Sequence, residues 1–335
     1  MVIKPVSRRR VWGAASVSAL AMLAVAAAAP LIGPARLDLG RAVAGLSPDF
    51  EILFYARLSR VLMALLAGGT LAVAGVLFQA LLRDALATPY TLGVSSGASL
   101  GAVIAITLGL QTFGGYPAVW VAAFSGAGLV LFLVLGIAAE GRRLSSFTLL
   151  LAGITINSIC LAMILFLQNL ASFAQSFAIV RWLMGDIGPT DYRTLAMVAA
   201  AVLPAAGFVM LRAREWNLLA VGEEWAASRG VAASRLILLG YFAGSFMAGS
   251  ITAITGPVGF IGLIVPHALR IRLGADHRLL VPCSFFTGAA FLALCDALAR
   301  TVLAPAEIPV GVITALLGGP FFIWLLRSRR RSLWM

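Results

Sequence analysis

The chain has 335 residues, of which 61% are hydrophobic and only 11% are charged, and its mean hydropathy is +1.01. Soluble globular domains carry about 25% charged residues, so this composition excludes an ordinary soluble domain. The formal net charge of +12 would suit either a nucleic-acid ligand or a membrane protein with basic loops, and the positions of the charges decide between them.

Long uncharged runs alternate with short charged segments along the chain. A membrane-spanning helix needs about 20 apolar residues, so runs 85–139 and 236–269 have room for two spans each and the others for one. The runs are 11–35, 61–82, 85–139, 144–180, 194–211, 236–269, 279–295 and 308–326. The sequence therefore predicts an all-α polytopic membrane protein with about ten transmembrane helices, in one transmembrane domain over residues 1–335.

The basic residues orient these spans. An even number of spans places both termini on one side, and if that side is the cytoplasm, the inner loops hold 18 of the 25 basic residues. Because cytoplasmic loops are enriched in Lys and Arg, we expect both termini to be cytoplasmic. The same enrichment accounts for the net positive charge, so we predict no nucleic-acid partner.

Catalytic and metal sites are not predicted for this chain. A P-loop needs a lysine on the nucleotide phosphates, but the only lysine is Lys4. If transport uses ATP, another subunit must therefore hydrolyse it. The three cysteines lie in apolar runs without paired spacing, which is typical of small buried residues.

One enzyme motif does match by letter, at Gly93–Gly97, which fits the nucleophile elbow G-x-S-x-G. That motif requires a strand before the serine and a histidine partner. Here it opens a predicted membrane helix, where small residues let helices approach closely. We favour helix packing, and an intramembrane hydrolase with Ser95 as its nucleophile is the alternative.

Two basic arrangements are predicted at the outer side. Arg57 and Arg60 are spaced i,i+3 at the start of the second span and share a helix face. Arg300 ends the ninth span, one turn after Asp296. Arginine suits bidentate binding of carboxylates, so these residues indicate an acidic partner or an anionic substrate. An ion pair between Asp296 and Arg300 is the alternative.

The longest charged inner loop covers residues of about 213–235 and contains the segment Gly222–Gly230. Its early carboxylates and its final glycine predict a short helix. Trp225 and Ala226 would give that helix an apolar side that the loop cannot cover. This favours a docking surface over a solvated connector.

An unusual stretch follows the seventh span. Gly256, Pro257 and Gly259 interrupt an apolar run, and we expect them to form the turn that leads into a short eighth span. His267 lies near the inner end of that span, where a structural role is favoured over catalysis.

Four groups of segments together resemble the permease subunits of ABC importers for iron-siderophores, haem and cobalamin, which have the ten-helix type II importer fold. Their order and spacing match nearly all of the chain after residue 55. The segments are 57–60, 74–75, 79, 83–89, 92–98, 149–153, 181–185, 222–230, 256–270, 274–278, 296–300, 308–311 and 318–322.

The resemblance implies a homodimer around a translocation path in the bacterial inner membrane. Two cytoplasmic ATPase subunits, which bind ATP and Mg, and one periplasmic substrate-binding protein would complete the complex. By position, the arginines that receive glutamates of the binding protein are Arg57, Arg60 and Arg300. The residues that match the ATPase coupling segment are Gly222, Glu223, Glu224, Ala226 and Gly230. The residues that match the cytoplasmic gate are Asp84, Leu86, Ser145 and Ser146.

Three residues depart from the family pattern. Ser59 replaces a proline between the arginines, Asp84 replaces a gate asparagine, and Arg229 replaces an apolar residue of the coupling segment. The cargo implied is a metal chelate. Residues 181–185 favour a ferric siderophore or cobalamin, and haem is the alternative. A secondary transporter, driven by an ion gradient, is a less favoured class.

Overall fold

The computed structural model describes residues 7–140, 143–144 and 146–328, and they are almost entirely helical. The α-helices are α1 Arg8–Ala28, α2 Leu39–Val43, α3 Asp49–Glu51, α4 Ser59–Leu82, α5 Val94–Thr107, α6 Ala118–Ala138, α7 Ser146–Leu170, α8 Phe173–Leu183, α9 Tyr192–Leu211, α10 Ala213–Val221, α11 Glu223–Ser228, α12 Ala233–Thr255, α13 Ile261–Leu273, α14 His277–Thr301 and α15 Val310–Ser328. A 3-10 turn, Ala29–Leu31, follows α1, and a π-helical stretch, Ile52–Leu58, leads into α4. The antiparallel two-residue strand pairs are β1 Thr112–Phe113 with β2 Tyr116–Pro117, and β3 Ala139–Glu140 with β4 Arg143–Leu144.

The all-α membrane architecture agrees with the sequence prediction, but the count of ten spans is not confirmed. In the described residues, seven helical segments are long and apolar enough to cross a membrane. The other three predicted spans correspond to α5, α13 and α15. Of these, α5 has 14 residues and α13 only 13, and the apolar part of α15 is also shorter than the membrane-crossing helices.

Helix α4 lies at the centre of the bundle, and glycines set how closely its neighbours approach. A methyl group on Gly68 would lie 2.3 Å from the Gly288 carbonyl oxygen of α14, and one on Gly75 would lie 2.0 Å from the Gly262 carbonyl oxygen of α13. Small residues allow such close backbone contact in membrane proteins. The glycines therefore hold α13 and α14 directly against α4.

Two groups of connecting segments lie at opposite ends of α4. The predicted outer end consists of residues 29–60, 182–191, 255–260 and 296–311. The predicted cytoplasmic end consists of residues 79–93, 212–232 and 270–278. Each name is used below for these residues alone.

At the predicted outer end, three non-helical connections between helices are joined by backbone hydrogen bonds. The Asp186 amide donates a hydrogen bond to the Thr255 carbonyl (2.8 Å), and the Gly311 amide donates one to the Gly185 carbonyl (3.1 Å). Gly185 and Gly256 have φ values of +72° and +65°, which glycine adopts without steric strain. Motifs from three distant parts of the sequence thus form one junction.

Candidate functional site

Arg57 is buried against the segment that follows α1. It donates hydrogen bonds from Nη1 to the carbonyl oxygens of Pro30 and Leu31, both at 3.3 Å, and from Nη2 to that of Ala35. The last carbonyls of a helix lack intrahelical partners, and a cation there also interacts favourably with the helix dipole. Arg57 thus fastens the outer end of the first helix.

Arg300 makes the same kind of contact from α14. Its Nη1 and Nη2 groups donate to the carbonyl oxygens of Ile32 (3.2 Å) and Ala29 (3.4 Å). Its Nε also lies 3.0 Å from the Asp296 carboxylate, one turn earlier in the same helix. The intrahelical ion pair, which was the alternative interpretation of the sequence, is therefore present.

Arg60 joins three carboxylates from separate parts of the chain. Its Nε donates to Asp296 (2.8 Å) and its Nη1 to Glu307 (2.7 Å), while Nη2 lies 3.6 Å from Asp186. The Asp296 side chain is fully buried, whereas that of Glu307 is 40% exposed. Arg60 and Arg300 therefore share one buried carboxylate, and Glu307 connects this cluster to the surface.

The predicted docking arginines do come together at the predicted outer end. However, Arg57, Arg60 and Arg300 are only 5%, 4% and 3% exposed, and each guanidinium has partners within the chain. Their docking role stays a prediction, and docking would require these groups to exchange partners. Arg36 and Arg41 are the exposed arginines nearest to them in sequence.

The coupling segment forms the short helix α11 that the sequence predicts. Glu223 and Glu224 lie in its first turn. Gly230 has φ +81°, and the Val231 amide donates to the Ala226 carbonyl at 3.1 Å. This is the Schellman arrangement, in which a left-handed glycine ends a helix.

One expectation about this helix is wrong. Ala226 is 0% exposed, so it packs inward and offers no apolar surface to a partner. Trp225 is 49% exposed, and the Arg229 guanidinium lies 4.8 Å from the centre of its ring. Trp225 and Arg229 therefore form the outward face of α11, and this cation–π contact gives the unusual Arg229 a local partner.

Arg83 connects the coupling segment to the central helix. It caps the C-terminus of α4 in the left-handed conformation (φ 53°, ψ 31°), and its Nη2 donates to the Glu223 carboxylate at 3.0 Å. A left-handed conformation costs a residue with a Cβ about 1–2 kcal/mol. The sequence analysis missed this link, because the two residues are 140 positions apart.

Helix α10 gives the coupling segment a buried base. Trp216 is fully buried, and its Nε1 donates to the Val209 carbonyl at 2.9 Å. Its ring fills the space beside Gly240 of α12, where Leu81 of α4 also packs. Helix α10, which leads into the coupling segment, therefore packs beside the last turns of α4. An aromatic residue within a charged loop is the signal of this contact in the sequence.

Asn217, the next residue, binds the turn between α13 and α14. Its Nδ2 donates to Asp276 Oδ1 (2.9 Å), and its Oδ1 accepts from the His277 amide (2.8 Å) and lies 2.7 Å from His277 Nδ1. Burial alone would raise the pKa of Asp276, but hydrogen bonds from Arg278 and Asn217 outweigh it and lower the pKa to about 2. Asp276 is therefore ionised at neutral pH and caps α14.

The predicted gate segment begins at Asp84. Its Oδ1 accepts a hydrogen bond from the Leu86 amide at 2.9 Å, and an asparagine oxygen can accept the same bond. The Leu86 side chain is exposed. Ser146 begins α7, whereas Ser145 lies outside the described residues. The segment continues to Leu92, whose Cα would lie 2.7 Å from a methyl group on Gly153 of α7, so the gate segment packs against that helix.

In the stretch 256–270 the helix α12 ends before Gly256 and the short helix α13 begins at Ile261, so the turn into a short helix that the sequence predicts is present. Pro266 lies inside α13 and has no amide to donate to the carbonyl four residues earlier, that of Gly262. Gln79 Nε2 of α4 donates to that carbonyl at 3.1 Å, and Arg270 Nη2 donates to Gln79 Oε1 at 2.8 Å. Gln79 therefore connects both halves of α13 to α4.

The G-x-S-x-G match is a helix-packing site. Residues 83–93, all of which the structure describes, form turns and irregular backbone. The strand that a nucleophile elbow needs before its serine is therefore absent from this segment. A methyl group on Gly97 would lie 2.6 Å from the Gly126 carbonyl oxygen of α6. The glycine therefore serves close contact between α5 and α6.

The sequence is similar to those of known membrane permeases. A model of the FecCD transport family matches residues 14–328. The hemin transport system permease protein HmuU of Yersinia pestis is 40% identical over 289 residues, which cover 84% of this chain and 85% of that protein. The vitamin B12 import system permease protein BtuC of Klebsiella pneumoniae is 39% identical over 281 residues, 84% of each chain.

A solved structure points the same way. A metal-chelate type ABC transporter in an inward-facing conformation superposes with a TM-score of 0.82 at 28% sequence identity, over 95% of this chain and 99% of that one. These matches confirm the resemblance, and they place the chain among transport components rather than enzymes. The chain is a multi-pass membrane permease that belongs to the FecCD transport family.

Proposed function

We propose that this chain is the transmembrane subunit of an ATP-binding-cassette importer that moves a metal chelate from a periplasmic binding protein into the cytoplasm. The observation that carries the proposal is the coupling segment: a short helix, α11, presents an exposed tryptophan at one end of the bundle and is bonded to α4 through Glu223 and Arg83. Such a helix can seat on a partner and pass its movement to the membrane helices.

The complex that fits this role contains two copies of the chain, two ATPase subunits and one binding protein. ATP and Mg would be bound by the ATPase, because the chain has no P-loop lysine. We place the complex in the bacterial inner membrane, and the arginine distribution supports an orientation with α11 and both termini in the cytoplasm. The gate would then lie at the predicted cytoplasmic end, at Asp84, Leu86, Ser145 and Ser146.

The binding protein would dock at the predicted outer end. Arg57, Arg60 and Arg300 remain the proposed receivers of its carboxylates, by exchange with the partners that they have in the isolated chain. Glu307 is the carboxylate most readily exchanged, because it is the most exposed of the three around Arg60.

The cargo is proposed to be a ferric siderophore or cobalamin. The relatives named for hemin and vitamin B12 are 40% and 39% identical to this chain, so identity does not separate these cargoes. Both histidines, His267 and His277, lie on α13 and α14 towards the predicted cytoplasmic end, away from the outer entrance where an imidazole could bind haem iron. Haem is the alternative cargo.

Titration of the cognate binding protein tests this proposal. The binding protein would be titrated with a ferric siderophore, cobalamin and haem, and each bound chelate would then be offered to proteoliposomes containing the complete complex with internal ATP. We expect uptake of the siderophore or cobalamin. Uptake of haem alone would favour the alternative, and uptake of no chelate at all would contradict the proposal.

A further inference from the structure

Three polar contacts connect the elements of the predicted cytoplasmic end in a closed ring. Arg83 at the end of α4 binds Glu223 of α11. Within α4, Gln79 binds Arg270 in the last turn of α13. After α13, Asp276 binds Asn217 of α10, and α10 continues into α11.

The three contacts share no residue and differ in kind. The first is an ion pair at 3.0 Å, the second a charged hydrogen bond at 2.8 Å, and the third an amide–carboxylate bond at 2.9 Å. Between them, the buried Trp216 fills the space next to Leu81. A ring of contacts with a packed centre resists relative movement of its parts better than a single contact does.

The backbone at Arg83 is a second indication. A residue with a Cβ keeps a left-handed conformation only where its surroundings enforce it. Arg83 does so at the junction between α4 and the gate segment, while its side chain reaches back to α11. The direction in which the gate segment leaves α4 is therefore set at the same residue that contacts the coupling helix.

We propose that residues 79–83, 216–228 and 270–277 form one rigid unit, the cytoplasmic block, and that Arg83 and Asn217 are the positioning residues that make the coupling helix move together with the gate segment and with the start of α14. This inference rests on the proposed function, since it assigns the route by which movement of an ATPase reaches the gate.

Charge exchange in the complete importer tests the Arg83 link. Arg83→Glu and Glu223→Arg each place like charges at the contact. We expect each variant to lower the amount of chelate imported per ATP hydrolysed by about fivefold or more, while the ATPase still co-purifies. The double variant Arg83→Glu/Glu223→Arg restores an opposite pair and should return this ratio to within about twofold of wild type.

The chain provides a matched control in Arg212 and Glu215. This pair is as close, at 2.8 Å, and as exposed, but it is an i,i+3 contact within one helical segment. Reversal of either of its charges should leave import per ATP unchanged. Equal losses at both pairs, or no loss at Arg83 and Glu223, would contradict the proposal.

A crosslink gives a readout that does not depend on charge. In a background without the three natural cysteines, the double variant Arg83→Cys/Glu223→Cys removes the ion pair. We expect this variant to import less chelate per ATP hydrolysed. Joining the two thiols with a short bismaleimide should restore import per ATP, because the two residues move together throughout the cycle. A crosslink that abolishes import would show that they must separate, which would overturn the rigid unit.

Asn217 is tested with the same assay. Asn217→Leu removes the bonds to Asp276 and His277 and should lower import per ATP, whereas Asn217→Gln, which keeps an amide that can donate to Asp276 and accept from the His277 amide, should lose less. Equal losses in both variants would contradict a positioning role. If the wild-type complex imports its chelate and every variant behaves like it, only the cytoplasmic block is wrong; a wild-type complex that imports nothing contradicts the proposed function instead.

Discussion

Two ion pairs at opposite ends of α4, Arg60–Asp296 and Arg83–Glu223, use the same chemistry under opposite conditions of burial. At the predicted outer end, Arg60 and Arg300 share the buried carboxylate of Asp296, and all three side chains are almost inaccessible to solvent. At the predicted cytoplasmic end, the side chains of Arg83 and Glu223 are 41% and 32% exposed. Breaking a buried ion pair by removing one partner costs about 3–5 kcal/mol, whereas exposed pairs contribute about 0–1 kcal/mol.

The difference in burial indicates different roles for the two pairs. The buried pair holds the helices together, whereas the exposed pair can exchange contacts at a low cost in free energy. The cluster around Asp296 joins α4, α14 and the segment after α1 through contacts that cost much free energy to break, so it holds this end of the bundle together. At the predicted cytoplasmic end the Arg83–Glu223 pair is exposed and weak, whereas Gln79, which binds Arg270, and the Asp276 side chain, which binds Asn217, are only 4% and 6% exposed. The effect of the exposed pair therefore depends on its acting together with these buried contacts around Trp216. We therefore expect substitutions at the outer end to affect stability first and those at the cytoplasmic end to affect coupling first.

The largest effect is expected at Asp296. Asp296→Ala leaves Arg60 and Arg300 buried without their shared carboxylate and should lower the free energy of unfolding by about 3–5 kcal/mol. Thermal unfolding in detergent measures this change. The control is Glu307→Ala, which removes the exposed partner of Arg60 and should cost about 1 kcal/mol or less; equal losses would contradict the contrast in burial.

A smaller loss is expected where glycine sets the helix spacing. Gly75→Ala places a methyl group 2.0 Å from the Gly262 carbonyl oxygen, and the resulting displacement of α13 from α4 should cost about 1–3 kcal/mol. Gly128→Ala is the matched control, because no side chain or backbone of another helix lies within 4 Å of the added methyl group. The same unfolding assay should show a change within about 0.5 kcal/mol for the control.

Substitution of Arg57 tests whether this residue stabilises the segment after α1 or binds the binding protein directly. Arg57→Ala leaves the carbonyls of Pro30, Leu31 and Ala35 without their donor, which should cost about 1–3 kcal/mol and increase hydrogen exchange in residues 31–48. Arg36→Ala, at an exposed position, should leave exchange unchanged. If Arg57→Ala abolishes docking of the binding protein while exchange stays the same, the direct docking role is supported over fastening.

The smallest effect is expected at Asp84. Asp84→Asn keeps the side-chain oxygen that accepts from the Leu86 amide, so the unfolding free energy should change by less than about 0.5 kcal/mol and import should be unaffected. Asp84→Leu removes the acceptor and should loosen the gate segment, which limited proteolysis can detect. A strong loss of import in the asparagine variant would mean that the negative charge itself takes part in gating.

Local features of this molecule were predictable, and contacts between distant residues were not. The apolar runs predict the helices, and Gly230 ends α11 because a left-handed backbone position is a local requirement that glycine meets. Ala226 was placed on the wrong face because α11 has only six residues, too few for a periodic pattern to fix its orientation.

The outer cluster shows the limit most clearly. Arg60 and Asp296 are 236 positions apart, and the spacing of charges within either helix indicates exposed arginines just as well as buried ones. Similarly, the contact of Gln79 with Gly262 arises from the missing amide of Pro266, which the sequence shows, but the donor that takes its place comes from another helix. Only the packing of α4 against α13 identifies it.

The source of energy for import tests the account most directly. Proteoliposomes that contain the permease with its ATPase and binding protein would be supplied with internal ATP or with an ion gradient, each alone. The account predicts chelate uptake with ATP and none with the gradient, and less chelate imported per ATP hydrolysed in Glu223→Arg. Gradient-driven uptake by the permease without an ATPase would contradict it.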